Sequence, residues 1–543
     1  MPPNDAMHYL TRRARPLRVA LHAAVLLTLV APAGDGFGAS LGAAPLEAQA
    51  SSRTRTKAQT KRPVRRTTRR TRGRAATPVA STAWTSPNGL PALSSDLSGM
   101  ISTRIRSGQF GIMVTSLTRG DTLFAQNAGE MMQPASTMKL MSTAVALDRF
   151  GPEHSFSTDV LRDAPLGGDG TISGNIYLRA DGDPSMSARF YHDANLPMAT
   201  LARAVAAKGV KHVTGDLVFD ASAFDDRRIP EGWKTTYLGA AYAARVSALS
   251  LNENLVWVVV QPAGKQAAVS LEPMSTTIPL RSNVRLVGGR GGRIVARRAA
   301  DGGVDVSGSI GSSSGPLRYS LVVDDPALFT AGALRAALQA AGITVDGAVK
   351  PGKTPANAEA VASLASPPLS RIVSEMNRES INIVAELLFR DAARAGAPNG
   401  VGSAESGLTN LRDFMQKKVA ANPQEIRVSD GSGLSTLDYM TPRAMIHLLS
   451  YAHKGPWSSA FHGSLPVAGE SELLRRRMRA TPAQGNLHAK TGTTNTVVSL
   501  AGYVTARDGE ILAFSFIYNG NDRWNAKATM DAMGATLANF VRE

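Results

Sequence analysis

The composition and the apolar periodicity of this chain change sharply in its middle, and this limits the folds that it can adopt. Residues 160–350 are rich in glycine, aspartate and short β-like runs, whereas helical patterns lie on both sides of this region. Apolar residues at helical spacing predict a helix near residues 91–108 and a stronger one over Ser136–Phe150. Long helices return from about residue 360, followed by two apolar strands and a final helix. The middle region is therefore expected to differ in architecture from both of its flanks.

Two segments of the middle region resemble each other. Residues 201–215 and 334–347 each contain a helical pattern, a glycine that ends the helix, a short strand and a second glycine. Two copies are too few for a repeat array, so they predict two similar halves of one domain. Between them, residues 263–316 consist almost entirely of strand and turn signals, which indicates a small β domain nested inside the middle domain.

The N-terminus has the pattern of an export signal. Four arginines between residues 12 and 18 precede the apolar stretch Val19–Val30, and small residues with A-x-A sites follow. This order is typical of a cleaved secretory signal peptide, so residues 1–50 are assigned to one. The mature chain is then expected to be periplasmic or otherwise extracytoplasmic. An uncleaved anchor or a short buried helix is the alternative interpretation.

Most of the positive charge of the chain lies just after this signal. The formal net charge is +17, but residues 51–75 alone hold eleven lysines or arginines and no acid. Residues 51–90 are low in complexity and predict a basic disordered linker. Its charge fits attraction to the cell wall, to an anionic membrane face or to nucleic acid, and equally a solvated spacer. Because the remainder is only mildly basic, no specific nucleic-acid partner is expected.

Composition excludes several kinds of chemistry. The chain has no cysteine, which removes disulfides, thiolate catalysis and cysteine-ligated metals. Its nine histidines form no His-Glu-x-x-His pattern and no close pair, so a zinc hydrolase is not expected. No apolar run approaches the ~18–20 residues that a spanning helix needs. Neither a metal nor a cofactor is predicted.

The first of three chemical motifs is Ser136-Thr137-Met138-Lys139. A serine and a lysine three residues apart at a helix start lie on one face, one turn apart. The backbone N–H of Ser136 is then free to bind an oxyanion at the positive end of the helix. A lysine acts as a base only when it is neutral, which requires burial or a nearby cation to lower its pKa.

The second motif, Ser380-Ile381-Asn382, lies between two helical patterns. A loop serine near a nucleophile can pass a proton between the lysine and a leaving amine, and the asparagine amide can hold a substrate backbone group. Taken alone, the motif is more often a helix cap.

The third motif, Lys490-Thr491-Gly492-Thr493, leads into an apolar strand. A lysine and hydroxyls facing a cleft would bind a carboxylate. The glycine permits close approach of substrate to the strand, and the backbone N–H of Thr493 would be a second oxyanion donor. Taken alone, Lys490 could equally be an edge lysine before a turn.

Together, and in this order, the motifs match the Ser-x-x-Lys, Ser-x-Asn and Lys-Thr-Gly set of penicillin-binding proteins and serine β-lactamases. The chain resembles the low-molecular-mass class C penicillin-binding proteins, the D-alanyl-D-alanine carboxypeptidase/endopeptidase group. The long gap between Lys139 and Ser380 is typical of that group, which inserts two domains there. Further segments that resemble the group are Met132–Lys139, Gly182-Asp183-Pro184, Thr214-Gly215-Asp216, Ser247–Asn254 and Asp430–Ser435.

The resemblance implies an α/β fold. A serine β-lactamase/DD-peptidase-like domain, with an antiparallel sheet flanked by helices, would comprise residues 91–160 and 360–543. Residues 161–262 and 317–359 would form the inserted middle domain, and residues 263–316 the nested β domain.

The resemblance also implies roles for individual residues. Ser136 would be the acylated nucleophile, Lys139 its base, Ser380 and Asn382 the groups that shuttle the proton and orient substrate. Lys490, Thr491, Gly492 and Thr493 would recognise the terminal carboxylate and close the oxyanion hole. Ile381 stands where the group often has aspartate, but only its two neighbours carry inferred roles.

Asp220 in the inserted domain is a weaker candidate. It lies in the segment Phe219-Asp220-Ala221-Ser222-Ala223-Phe224 and could contact a peptide side chain. A turn aspartate after a strand is an equal alternative.

The expected function is an exported serine-type D-Ala-D-Ala carboxypeptidase and DD-endopeptidase. Its partners would be peptidoglycan peptides as substrates and β-lactam antibiotics as acylating inhibitors. Contact with the membrane or wall through the basic linker is an additional expectation. A serine β-lactamase is the alternative enzyme, and a non-catalytic wall-binding or nucleic-acid-binding protein is the alternative of another class.

Overall fold

The computed structural model describes residues 83–543. The predicted signal peptide and most of the predicted linker lie outside the described residues. Within residues 83–543, no helix combines the length and the apolar character that crossing a membrane requires.

The described chain consists of a first segment, an insertion and a last segment. The first segment contains helix α1 (Leu90–Arg104), strands β1 (Gln109–Ser116) and β2 (Thr122–Gln126), and helix α2 (Lys139–Phe150). The last segment contains helices α6 (Leu369–Glu379), α7 (Asn382–Arg394), α8 (Ala404–Lys417), α9 (Pro442–Lys454), α10 (Ser458–Gly463) and α11 (Arg523–Ala538), with strands β17 (Ile426–Arg427), β18 (Tyr439–Met440), β19 (His488–Thr493), β20 (Val497–Thr505) and β21 (Ile511–Asn519).

The insertion carries the strands β3 to β16 and three helices. The strands are β3 (Ser157–Arg162), β4 (Thr171–Ile172), β5 (Ile176–Ala180), β6 (His212–Val213), β7 (Leu217–Asp220), β8 (Leu255–Ala263), β9 (Gln266–Glu272), β10 (Leu280–Val287), β11 (Gly292–Arg298), β12 (Val304–Gly311), β13 (Leu317–Val322), β14 (Thr344–Val345), β15 (Val349–Pro351) and β16 (Glu359–Ala365). The helices are α3 (Ala188–Tyr191), α4 (Leu196–Ala207) and α5 (Pro326–Ala340).

The first and last segments share one five-stranded sheet, in the order β19-β20-β21-β1-β2, with every neighbouring pair antiparallel. Apolar side chains from α1 and α11 pack on one face of this sheet, and those of α2, α7 and α9 pack on the other. Because helices cover both faces, β20 and β21 are buried along almost their whole length. This explains why both strands read as continuous apolar runs rather than alternating ones. The predicted antiparallel sheet flanked by helices is confirmed.

The insertion leaves and rejoins the first and last segments through two neighbouring strands. β3 and β16 pair antiparallel and belong to a second five-stranded sheet, in the order β15-β7-β5-β3-β16. The boundaries expected at residues 160 and 360 therefore fall inside β3 and β16. The insertion spans about residues 157–365, because strand pairing, which the sequence pattern does not reveal, continues past the change in texture.

The two similar segments of the insertion lie side by side. β6 pairs in parallel with β14, and β7 pairs in parallel with β15, each between residues that are 132 positions apart. Helices α4 and α5, which precede these strands, contribute to the same hydrophobic cluster. The similarity in sequence thus corresponds to two strand ladders that align equivalent positions of the two segments.

The segment predicted as a nested β domain contains the three-stranded sheet β10-β12-β11 and also strand β9, which pairs with β8 in the separate sheet β13-β8-β9. Val306 and Ile310 of β12 belong to the same hydrophobic cluster as Val258 and Val260 of β8 and the helices of the insertion. The nested segment therefore shares its core with the rest of the insertion.

Residues 83–89 differ from the linker prediction. The backbone N–H of Thr85 donates to Thr536 Oγ1 at 3.0 Å, and that of Gly89 donates to the carbonyl of Val541 at 2.9 Å. The N–H of Val541 in turn donates to the carbonyl of Pro87 at 3.1 Å. These contacts hold residues 85–89 against the C-terminal segment, so this part of the predicted linker is ordered.

The pairing of the two similar segments can be tested at Gly347. Its N–H donates to the carbonyl of Gly215 at 2.9 Å, and a Cβ on Gly347 would meet that oxygen at 2.5 Å and the carboxylate of Asp216. We predict that Gly347→Ala lowers the free energy of unfolding by about 1–3 kcal/mol, because the ladder cannot close around the added carbon. Urea denaturation followed by circular dichroism measures this loss.

Gly168→Ala is the matched control, because a Cβ there meets no atom within 4 Å. It is expected to leave the unfolding midpoint unchanged or slightly raised. Equal midpoints for the two variants would contradict the close pairing.

Candidate active site

The three motifs lie on three different elements that meet beside the central sheet. Ser136 lies in a 3₁₀ turn, Ala135–Met138, which leads directly into α2 at Lys139. Ser380 lies in the left-handed conformation, with φ +59°, at the junction of α6 and α7, and Asn382 opens α7. Lys490 lies on β19, which is an edge strand of the central sheet.

The side-chain amine of Lys139 is fully buried and contacts three groups. Its Nζ lies 3.1 Å from Ser136 Oγ, 2.6 Å from Asn382 Oδ1 and 2.7 Å from the carbonyl oxygen of Ser432. Asn382 is oriented by its own Nδ2, which donates to the carbonyl of Tyr242 at 2.8 Å. Two of the three neighbours of Nζ are therefore pure acceptors, and the third is a hydroxyl that can also donate.

This arrangement suits a neutral amine. A neutral lysine has two N–H groups and one lone pair, which matches two acceptors and one hydroxyl donor. Burial lowers the pKa of Lys139 to about 8, although the carboxyl groups of Asp430, Glu386 and Asp438 act in the opposite direction. In the charged form the third N–H of Lys139 donates to Ser136 Oγ at 3.1 Å, and in the neutral form the lone pair can face that hydroxyl, as a general base requires.

Lys490 is the second buried amine of the site. Its Nζ donates to Ser380 Oγ at 2.9 Å and to the carbonyl of Thr491 at 2.9 Å. Burial, reinforced by Lys139, holds the pKa of Lys490 well below its usual value. Lys490 thus fixes the Ser380 hydroxyl, and a carboxylate bound beside it would raise its pKa, because an opposite charge favours the charged form.

Gly492 allows β19 to approach the segment that carries Ser136. A Cβ on Gly492 would lie 2.9 Å from the backbone nitrogen of Ser136 and 2.9 Å from the carbonyl of Pro134, and would overlap Ser499 Oγ. Ser499 Oγ itself donates to the Pro134 carbonyl at 2.6 Å. The absence of a side chain at residue 492 therefore allows the edge strand to lie against the backbone of Ser136. Thr491 is largely buried, whereas Thr493, at the end of the strand, is exposed.

The carbonyl of Ser432 is held in place by the carboxylate of Asp430. This buried carboxylate accepts from five donors, among them the backbone N–H groups of Ser432 at 3.0 Å and Gly433 at 2.6 Å. Nε1–H of Trp233, which belongs to the insertion, donates to it at 2.7 Å. Only the family resemblance indicated residues 430–435, and neither Trp233 nor Tyr242 was predicted to contribute to the site. Neither aromatic residue lies in a local pattern that would indicate a contact with the motifs.

Three buried polar residues follow one another along α7 at four-residue spacing. Asn382 contacts Lys139, Glu386 Oε1 accepts from the N–H of Gly431 at 3.1 Å, and Arg390 contacts Asp225 of the insertion at 2.5 Å. Burial, with Asp430 acting in the same direction, raises the pKa of Glu386 to about 8. The row connects the site to the insertion, and sequence analysis missed its last two members because it assigned this helix by its apolar positions.

Asp220, the weaker candidate, lies at the end of β7. Its carboxylate accepts from the backbone N–H groups of Ser222 at 3.0 Å and Thr354 at 2.7 Å. This is the arrangement of a turn aspartate after a strand.

The close approach at Gly492 gives a prediction. Gly492→Ala should lower the rate constant for acylation by benzylpenicillin on the order of 100-fold, because a displacement of about 1 Å between reacting groups has that effect. Stopped-flow or intact-mass time courses measure the rate, with circular dichroism as the check on folding. Gly463→Ala is the control, since a Cβ there meets no atom within 4 Å. A normal rate for Gly492→Ala would contradict the proposed contact.

Comparisons with known proteins agree with this geometry. The D-Ala-D-Ala carboxypeptidase 3 (S13) family model matches residues 95–540. The D-alanyl-D-alanine carboxypeptidase of Actinomadura sp. (strain R39) is 33% identical over 449 residues, which cover 79% of this chain and 81% of that protein. The D-alanyl-D-alanine carboxypeptidase DacB of Haemophilus influenzae is 24% identical, over 76% of this chain and 85% of its own length.

A solved structure shows the same fold. The crystal structure of penicillin binding protein 4 from Haemophilus influenzae superposes with a TM-score of 0.67 at 22% identity, covering 82% of this chain and 98% of that one. The family match, which spans nearly all of the described residues, and the 33% identity to the Actinomadura protein decide the assignment. The chain belongs to the S13 family of D-Ala-D-Ala carboxypeptidases.

Proposed function

We propose that this chain is a serine-type D-Ala-D-Ala carboxypeptidase and DD-endopeptidase that acts on peptidoglycan stem peptides through an acyl-enzyme on Ser136. The observation that carries the proposal is the set of contacts of Lys139. When neutral, a buried amine that contacts two acceptors and one hydroxyl can accept the proton of that hydroxyl. No such arrangement is needed for binding alone, which disfavours the non-catalytic alternative.

In the acylation step, Ser136 Oγ attacks the carbonyl carbon of the D-Ala peptide bond and its proton moves to Lys139 Nζ. The developing oxyanion lies at the backbone N–H groups of Ser136 and Thr493, on the two sides of the close contact at Gly492. The C–N bond then breaks. The leaving amine takes the proton from Lys139 through the hydroxyl of Ser380, which Lys490 orients at 2.9 Å, and Lys139 is neutral again.

Deacylation reverses these roles. A water molecule attacks the ester carbonyl and gives its proton to the neutral Lys139, and the Ser136 hydroxyl is restored as the ester bond breaks. When the leaving group is a terminal D-alanine, the reaction is that of a carboxypeptidase. When it is the D-centre of a cross-linked neighbour, the same steps constitute endopeptidase action.

Substrate is proposed to lie along the edge strand β19. The edge of β19 has no strand partner over Lys490–Thr493 among the described residues, so an extended peptide can pair with it. The terminal carboxylate would contact Lys490, Thr491 and Thr493. Binding of that carboxylate would raise the pKa of Lys490, which burial and Lys139 lower in the empty site.

The cellular context is also proposed. Residues 1–50 would direct export and be removed, and the basic residues 51–75 would add contact with an anionic wall or membrane surface. The division into a peptidase domain, a middle domain and a nested β segment is supported by the separate sheets and by the shared hydrophobic cluster of the insertion.

Penicillin tests the nucleophile directly. Benzylpenicillin should add one covalent adduct to the wild-type chain, seen as an increase in intact mass, and none to Ser136→Ala. The adduct is expected to be long-lived, because the leaving amine remains tethered. Release of penicilloate without an accumulated adduct would support the β-lactamase alternative. Neither adduct nor turnover would contradict the proposal.

The pH dependence tests the base. Since only neutral Lys139 accepts the proton, the rate constant for acylation should rise with pH and level off above about pH 8, where the pKa of Lys139 lies. A rate constant that is already maximal at pH 6 would mean that Lys139 does not act as the base. The rate constants come from penicillin time courses between pH 5 and 10, with circular dichroism as the control for folding at each pH.

A further inference from the structure

We propose that the outward face of the sheet β10-β12-β11 in the insertion binds a linear anionic polymer that carries phosphodiester groups. This basic face, defined by Arg285, Arg293 and Arg297 around β12, is distinct from the residues of the proposed active site. The strand register, the exposure and the charge of this face point to such a ligand whether or not the proposed function holds.

The strand register fixes which residues share this face. β12 lies between β10 and β11, and Ser309 pairs with Arg285 on one side and with Arg293 on the other. Four residues earlier, Asp305 pairs with Arg281 and with Arg297. Residues an even number apart along a strand point to the same side, so all four arginines lie on one face.

Exposure confirms the direction of this face. The arginines at residues 281, 285, 293 and 297 are all exposed. The alternate positions point inward, where Val284, Leu286 and Ile294 pack against the hydrophobic cluster of the insertion. The arginines therefore belong to the solvent side of a sheet whose other side is already used for packing.

The charges on this face are unbalanced. Arg281 forms ion pairs with both Asp301, at 2.7 Å, and Asp305, at 2.6 Å. Within residues 83–543, Arg285, Arg293 and Arg297 have no carboxylate partner at ion-pair distance. Solubility alone would be served by mixed charges, and like charges on one sheet face repel each other weakly even across an intervening strand. An anion placed between them would relieve this repulsion.

The middle of the face favours a linear polymer. On β12, Ser309 lies between Arg285 and Arg293, which stand on flanking strands about 10 Å apart. Asp305, four residues earlier on the same face, lies between Arg281 and Arg297, and its carboxylate is paired with Arg281. A chain lying along β12 would have guanidinium groups on both sides, and guanidinium groups bind phosphate oxygens in pairs. Val295, 38% exposed between Arg293 and Arg297, offers apolar contact to the carbon skeleton of such a chain.

The test uses poly(glycerol phosphate) as the probe and the whole chain, so that the basic linker contributes equally to every measurement. The face variant is Arg285→Gln/Arg293→Gln/Arg297→Gln. The matched control, Arg203→Gln/Arg412→Gln/Arg476→Gln, removes the same charge from exposed positions on helices α4 and α8 and on a loop of the last segment. Thermal unfolding checks that each variant is folded.

Binding is measured as a function of salt concentration. The slope of log K against log salt is negative, and each lost phosphate contact reduces its magnitude by roughly 0.7. The face variant, which loses three contacts, should therefore have a slope smaller in magnitude by about 2. The control variant should keep the wild-type slope. The same loss in both variants, or no loss in the face variant, would overturn the proposal.

Vesicles of phosphatidylglycerol and phosphatidylcholine separate a polymer from a membrane surface. The proposal expects the face variant and the control to bind them alike. A loss of vesicle binding confined to the face variant, with polymer binding unchanged, would assign the face to a membrane and overturn the proposal. Acylation by penicillin is expected to be equal in all three proteins, and its failure in all three would count against the proposed function alone.

Discussion

The structure of the site depends on a single buried amine. Lys139 Nζ is removed from water and contacts Ser136, Asn382 and the carbonyl of Ser432, which are far apart along the chain. A charged amine would lose much of its hydration there, whereas a neutral one finds a suitable neighbour for each N–H and for its lone pair. The loss of hydration therefore both disfavours the charged amine and leaves more of it in the neutral form that can accept a proton. Any change that admits water to this position would raise the pKa of Lys139 and lower the fraction of the amine that is neutral near pH 7.

The insertion takes part in this arrangement. Trp233 donates to the Asp430 carboxylate that orders the loop behind Lys139, and the carbonyl of Tyr242 orients the amide of Asn382. Arg390, at the far end of the row on α7, contacts Asp225. The insertion thus supports the residues on which the Lys139 contacts depend, and its outer basic face is free for another role.

The sequence predicted the antiparallel sheet with its flanking helices, because amphipathic periodicity and long apolar strands are local signals. It also singled out Ser136, Lys139, Ser380, Asn382 and Lys490, which the structure brings together, while their roles stay predictions. Glu386, Trp233 and Tyr242 carry no local pattern, since their contacts join segments that only the folded chain brings close. The ends of the insertion lie a few residues outside the predicted boundaries for the same reason. β3 and β16 pair across about 200 residues, and the local composition of the sequence does not reveal which strands pair.

The proposed role of Lys139 as the base is tested most directly when Lys139 is replaced by a side chain of the same shape and lower basicity. The chain has no cysteine, so Lys139→Cys introduces a single thiol. Alkylation with 2-bromoethylamine in the unfolded state, followed by refolding, converts it to thialysine. Wild-type protein carried through the same steps is the control. We predict that penicillin does not acylate Lys139→Cys before alkylation and that acylation recovers afterwards. The rate constant for acylation of the thialysine protein should level off at a lower pH than that of the wild type. Full activity of the unmodified thiol, or a recovered profile at an unchanged pH, would contradict the role of Lys139 as the base.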